Sequence, residues 1–168
     1  MSKTDNSIIV KLRDRFDYDT DTGAFLRRSS NGRRWSAGDR ADKQGSGALK
    51  SYRILCVADQ KILAHRAAWM WVHGVAPTGL IDHINGDKTD NRIVNLRDAD
   101  SRINNENRRL ASSRSRSGVL GVFSHQGKYR VRLTVNRKSV HVGVFDDVET
   151  ARAAYVEAKR RLHQGCTL

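Results

Sequence analysis

Cysteine is nearly absent from this chain: Cys56 and Cys166 are the only two in 168 residues. That excludes a disulfide framework and any four-cysteine zinc site. Long hydrophobic runs are missing too. No stretch of roughly 18 apolar residues occurs, so no transmembrane helix is expected. Residues 1–30 hold Asp5, Asp14, Asp17, Asp19 and Asp21 and lack the apolar segment of a secretory signal. The expectation is an intracellular, cytoplasmic protein. Acidic side chains are in deficit, 18 against 31 Lys and Arg, which leaves a formal charge of +13. Solubility needs far less than that. An anionic membrane would require a strongly hydrophobic, amphipathic basic helix, and none is evident. Nucleic acid is therefore the expected partner.

Apolar residues make up 38% of the chain, which suits one ordinary domain or two or three small modules with marginal cores. The charge is uneven: residues 1–80 carry +6, residues 81–117 carry +2 and residues 118–168 carry +5. A nearly balanced centre lies between two basic flanks. Carboxylates for a metal-dependent centre and cations for a nucleic-acid clamp are both available.

Turn and alternation signals place the elements. Asp21-Thr22-Gly23 precedes a strand over Ala24–Arg28. Ser51–Ala58 and Ile62–His65 flank a turn at Asp59-Gln60-Lys61. Arg33–Leu49, rich in Gly, Ser and charge, reads as a loop. Arg66–Val75 reads as a short apolar helix, with Gly74 as its C-cap and Trp69, Met70 and Trp71 in the core. A polar, basic linker at 111–117 carries Arg114 and Arg116, both candidates for phosphate contact along with Arg108. Beyond it Val119–Phe123, Tyr129–Val135 and Ser139–Phe145 alternate as strands, turned at Gln126-Gly127-Lys128 and Asn136-Arg137-Lys138. In the middle strand Tyr129, Val131 and Leu133 point one way, and Arg130, Arg132 and Thr134 the other. A helix from Asp146, with Glu149 as capping-box partner, repeats Val148, Ala151, Tyr155, Ala158 and Leu162 at helical spacing. It covers one sheet face and leaves the arginine face bare.

The densest chemistry lies in the centre: Asp82-His83-Ile84-Asn85-Gly86-Asp87, then Asp90-Asn91-Arg92, Asn95-Leu96-Arg97 and Asn104-Asn105-Glu106-Asn107-Arg108. A short strand delivers Asp82 and His83, a loop follows, and a second strand lies near Asn95–Arg97. A helix capped by Asp98 or Asp100 then runs to about Leu110, with Asn104, Asn107 and Arg108 on one face. Phosphodiester hydrolysis needs an activated water, a divalent cation and a phosphate clamp. His83 can take a proton near neutral pH. Asp82 and Asn104 offer hard oxygen donors, which suit Mg²⁺ or Mn²⁺. The plain alternative is an Asx-rich loop with a buried, satisfied histidine. His65 is read as a structural hydrogen-bonding residue or, alternatively, as a contact to the catalytic unit, and His73 and His163 are given no role.

The stretch His65–Asn107, with HRAAW, IDHINGDKTDNRIVNLR and INNEN, resembles the HNH endonuclease family in its phage and intron-encoded homing branch. The resemblance implies a ββα-metal fold around one divalent cation. His83 matches the general base, Asp82 a metal ligand, and Asn95 the central Asn that pins the loop and orients the histidine. Asn104 matches the last motif position, where the family name expects His and this branch often has Asn. Products with 5′-phosphate and 3′-hydroxyl ends are implied.

Ser117–Gly165, with GVLGV, YRVRLTV and HVGVFDDVETARAAYVEAKRRL, resembles the AP2 DNA-binding domain, whose three-stranded sheet docks in the major groove. By strand phase Phe123, His125, Arg130, Arg132, Thr134 and His141 occupy the matching exposed positions. Residues 15–65 resemble the leader that precedes the core in phage nucleases of this type.

The expected whole is an α+β protein. A β-rich, DNA-contacting segment (1–64) precedes a ββα-metal nuclease core (65–110), the linker (111–117) and an AP2-like sheet packed on one helix (118–168). The expected activity is site-directed cleavage or nicking of double-stranded DNA, without membrane or small-molecule cofactor, by a monomer or alternatively a dimer. If the protein is phage-encoded, the bacterial host cytoplasm is its place. The rivals are a non-catalytic AP2-like regulator with a decayed nuclease core, and a non-specific HNH nuclease.

Overall fold

The computed structural model describes residues 3–167. They form two compact units that divide in sequence between Asp100 and Ser101. Among the described residues no helix is long and apolar enough to cross a membrane.

The first unit opens with a helix, α1 (Lys3–Arg15), where the sequence reading had only a β-rich segment. Its Ile9 and Leu12 are buried against Phe16, Tyr18 and Phe25, so tertiary burial rather than a long apolar stripe holds it. β1 (Phe16–Tyr18) and β2 (Phe25–Arg27) form an antiparallel hairpin. Its turn is tied by Asp19, whose carboxylate accepts from the Asp21 N–H at 2.9 Å and from the Thr22 hydroxyl at 2.6 Å.

β3 (Lys43–Gln44), β4 (Arg53–Val57) and β5 (Gln60–Leu63) make a three-stranded antiparallel sheet. The stretch expected as loop over Arg33–Leu49 thus supplies a strand, and also a 3₁₀ turn at Gly47–Leu49. Val57 pairs with Gln60, so the β4–β5 turn is Ala58-Asp59 and not Asp59-Gln60-Lys61. Both turn residues have positive φ, 47° and 65°, the twist that two-residue hairpins require. α2 (Ala64–His73) leaves β5 directly, two residues before the expected start. It ends on Gly74, whose φ of 69° lets its N–H donate back to the Met70 carbonyl. β6 (Leu80–His83) and β7 (Leu96–Ala99) form the last hairpin of the unit. Ile81 and Leu96 join the common core with Leu55, Val57, Ala67, Ala68 and Met70.

The second unit begins with α3 (Ser101–Glu106), one short helix where a longer one to about Leu110 was expected. Asp98 does not cap it: its carboxylate accepts from the Thr78 N–H and hydroxyl and from the Gly79 N–H at 2.7–2.8 Å. β8 (Val122–His125), β9 (Lys128–Val135) and β10 (Lys138–Phe145) form an antiparallel sheet in the order β10-β9-β8. The turns Gln126-Gly127 and Asn136-Arg137 are two residues long, all at positive φ, one residue shorter than the expected turns. α4 (Val148–Leu162) is capped by Asp147, which accepts from the Thr150 N–H at 2.7 Å, in place of the expected Asp146 and Glu149.

Val122, Val131, Leu133, Ala151, Tyr155 and Ala158 are the core of this unit. Gly121 fits against it only as glycine: a Cβ there would lie 2.0 Å from Tyr155 Cε2. A bulge between His141 and Gly143 shifts the β10 register. Phe145 therefore packs against the core while Val144 is exposed, the reverse of unbroken alternation.

Candidate functional site

Pairing of β6 with β7 sets Asp82 opposite Arg97 and His83 opposite Leu96. The twelve residues between the strands would be a loose excursion without their side chains. Asn95 closes it. Its Oδ1 accepts the Asn85 N–H at 2.9 Å and its Nδ2 donates to the Asp90 carbonyl at 2.8 Å. Asn85 Oδ1 accepts the Asp87 N–H, Asp87 accepts the Thr89 N–H and hydroxyl, and Asn85 Nδ2 donates to Asp90. Each amide or carboxylate satisfies backbone that no strand pairs.

His83 is 5% exposed at the mouth of this loop. Its Nε2 lies 3.1 Å from Asn91 Oδ1. A carbonyl oxygen only accepts, so the imidazole proton sits on Nε2 and the lone pair on Nδ1. Burial depresses the His83 pKa; the Asn91 bond and the carboxylates of Asp82, Asp87 and Asp90 oppose that shift without overcoming it. The imidazole is consequently neutral near pH 7, the form a base requires.

Asn91 is itself fully buried, and its backbone carbonyl accepts from the Tyr18 hydroxyl at 2.7 Å. The β1–β2 turn lies against it so closely that a Cβ on Gly23 would be 2.5 Å from the Arg92 nitrogen. With φ at +70° this position takes glycine on both counts. Neither Asn91 nor Tyr18 was assigned a role from the sequence. Asn91 is one of many Asx residues in the loop, and the contact with Tyr18 spans 73 positions, so no local signal marks it.

Of the two parts expected for His65, the structure shows the contact with His83 and not a hydrogen bond at Nδ1. That nitrogen is buried with no hydrogen-bond partner among the described residues. The ring packs edge-on against His83, centroids 4.9 Å apart, and against Tyr52 at 5.4 Å. Burial, with His83 adding to it, pushes the His65 pKa down to about 3.

Asp82 is 6% exposed, and its Oδ2 accepts two bonds from the Arg97 guanidinium at 2.7 and 3.0 Å. Among the described residues no group of three or more His, Cys, Asp and Glu side chains is placed to hold a metal ion. An all-protein cage of the zinc type therefore does not fit. A hard cation that keeps most of its water takes only one or two protein oxygens plus substrate phosphate, and the Asp82 carboxylate is a donor of that chemistry, held here by Arg97. Asn104, the other expected ligand, is partly exposed on α3 of the second unit. Asn107, expected on the same helical face, lies beyond the end of α3, buried, and accepts from the Thr167 hydroxyl.

The second unit gathers the expected DNA-facing residues on the open side of its sheet. Phe123 pairs across to Arg130, Arg132 to His141, and Thr134 to Ser139. Arg132 lies 5.8 Å from the Phe123 ring, and Arg130 donates to His125 Nε2. Phe123 is 54% exposed while Val131 beneath the sheet is fully buried. Arg108, Arg114 and Arg116 are exposed.

Residues 63–106, about a quarter of the chain, match the family model of the HNH endonucleases, which supports a nuclease acting on DNA. Neither the curated proteins nor the solved structures gave a match.

Proposed function

We propose that the chain is a site-directed, homing-type DNA endonuclease in which His83 is the general base. One observation carries the reading. Within the residues that match the nuclease family, a neutral His83 is held through Nε2 by a buried Asn91, so Nδ1 is the nitrogen that can take a proton from water. Asn95 keeps the loop in shape, and Arg97 fixes the Asp82 carboxylate. Asp82 and Asn104 are assigned to one Mg²⁺ or Mn²⁺. When bound, that ion supplies charge stabilisation to the phosphorane-like transition state and to the leaving 3′-oxygen. Everything else belongs to the chain: His83 removes the proton, Asn91 fixes the tautomer, and the buried His65, with the half-buried Tyr52 beside it, limits water at the imidazole.

The C-terminal sheet, which resembles an AP2 domain, is assigned to DNA recognition, with Phe123, His125, Arg130, Arg132, Thr134 and His141 facing the duplex. The exposed cross-strand row of cations and rings supports that assignment. One catalytic unit per chain makes nicking the outcome for a monomer.

Plasmid cleavage with and without Mg²⁺ tests the reading. His83→Ala should lose about 10² to 10⁴ in rate while binding DNA as before. Asp82→Ala and Asn104→Ala should be partly rescued by raised Mn²⁺. A His83→Ala protein that cuts at the wild-type rate would end the mechanism. A wild-type protein that binds and never cuts would be the regulator instead, and one that cuts every sequence equally would be a non-specific nuclease.

A further inference from the structure

We propose that the cleft beside Trp35 in the first unit is a separate backbone-binding site for duplex DNA, where Arg27 and Arg34 hold phosphates. It rests on the reading of the chain as DNA-acting, and it lies outside the residues that match the nuclease family. The segment looks like a loose Gly- and Ser-rich loop in sequence, yet it is tied throughout. Asn31 bridges to Trp35, its N–H donating to the Trp35 carbonyl at 3.0 Å. The Gly38 N–H donates to the Arg27 carbonyl at 2.8 Å and the Arg27 N–H to the Asp39 carbonyl at 2.9 Å. Asp39 and Ser30 side chains accept from the Ser36 and Ala37 N–H groups. The loop thus presents its side chains from a built frame.

Apart from Arg33, which has neither an ion pair nor a ring contact among the described residues, the arginines in this stretch fall into two kinds. Arg28 is paired with Asp17, and Arg40 and Arg53 with Asp42. Arg27 and Arg34 have no such carboxylate among the described residues; they lie over the Trp35 ring, 4.2 and 5.2 Å from its centroid. A guanidinium held on an indole face by cation–π attraction keeps its N–H groups for another acceptor. Its rotamers are already restricted, so less entropy is lost on binding. The adjacent cleft of about 830 Å³ is lined by Arg15, Arg27, Arg34 and Lys43, against Asp14 and Asp59. Stacked guanidinium groups in a net-positive cleft match phosphate oxygens, which accept two parallel N–H bonds. A nucleobase is a poorer occupant, because it would have to displace Arg27 from the ring. Such contacts position a protein on DNA without reading sequence.

The test is duplex binding by the full chain in EDTA, titrated over a range of salt, on a target and on an unrelated duplex. In the Arg27→Gln/Arg34→Gln double variant the slope of log K against log salt should flatten by about 1.8, since each phosphate contact contributes about 0.9. Affinity should fall equally on both duplexes. Trp35→Leu should weaken binding although it removes no charge. If the double variant unfolds, Arg34→Lys keeps the charge and loses the flat stack, and it too should weaken binding on both duplexes. An unchanged slope overturns the site, and so does a loss confined to one sequence. Wild-type cleavage is scored separately: a protein that cuts while the variant slope stays unmoved sinks this site alone. One that neither binds nor cuts sinks the nuclease reading beneath it.

Discussion

The loop between β6 and β7 and the sheet β8–β10 solve opposite problems. The sheet is organised by alternation: Val131 and Leu133 go under, Arg130, Arg132 and Thr134 stay out, and α4 covers the apolar side. Any apolar residue of suitable size serves beneath it. The loop has little apolar content to organise it: Ile93 packs against the core, while Val94 is exposed. Asn85, Asp87, Asp90, Asn91 and Asn95 build it by single, directional bonds. An apolar scaffold tolerates exchange and orients only to within a face, whereas a polar one orients an imidazole and tolerates little. The proposed function places recognition and chemistry accordingly.

That contrast can be broken most forcefully in the sheet's core. Leu133→Ala should cost about 2–5 kcal/mol of stability, and Leu133→Ile less than about 1.5 kcal/mol. Thermal unfolding of both proteins checks this, and equal losses would deny that the core is governed by volume. In the loop, Asn95→Ala should cost about 10²-fold in cleavage rate through misplacement of the histidine while the melting temperature moves little. Asn91→Leu should instead change the ¹⁵N chemical shifts that report the His83 tautomer, a signal that a merely structural role would leave alone. On the sheet face proposed for recognition, Arg132→Ala should lower affinity by about 1–3 kcal/mol at one base position if it reads a base edge. A uniform loss, with the salt slope reduced by about one, would mean a phosphate contact.

The gentlest test concerns acid. Burial raises the Asp42 pKa, but bonds from Arg40, Arg53 and the Phe25 N–H outweigh it, so the net shift is downward. A carboxyl whose folded pKa lies below its unfolded value of about 3.9 stabilises the fold above that pH. The contribution disappears as pH falls through the lower, folded value. Asp42→Asn should therefore flatten the acid limb of the first unit's unfolding curve and leave its shape near pH 7 unchanged.

How much of this could be read in advance follows from the same contrast. Strands β9 and β10, the Gly74 cap and the β6–β7 pairing were legible because periodicity and turn residues act locally, whereas the strand expected over Val119–Phe123 lies at Val122–His125. α1 was not legible: its apolar stripe is only Ile8, Ile9 and Leu12, with Val10 exposed beside it, too short to stand out as helical periodicity. The place of Asp82, His83 and Asn95 in one hairpin was legible from their spacing. Asn91's hold on His83 was not, since it depends on Tyr18 and Gly23 arriving from another hairpin. Asp98 was one of two candidate helix caps, with Asp100, yet its carboxylate serves Thr78 and Gly79.

The end of the second unit reaches back to its beginning. Glu106 is buried and accepts the Gly165 N–H at 2.9 Å, Lys159 donates to the Arg108 carbonyl, and Arg109 donates to Thr167 at 2.6 and 2.9 Å. For anyone grafting this unit onto another protein, this moves the seam. A crossover at the basic stretch 111–117 would strand Glu106 inside the protein without its amide partner, and a buried group left so costs about 1–3 kcal/mol or more. The transplantable piece runs from Ser101 to Thr167, so whatever sheet is exchanged must bring its own copy of the helix bearing Asn104.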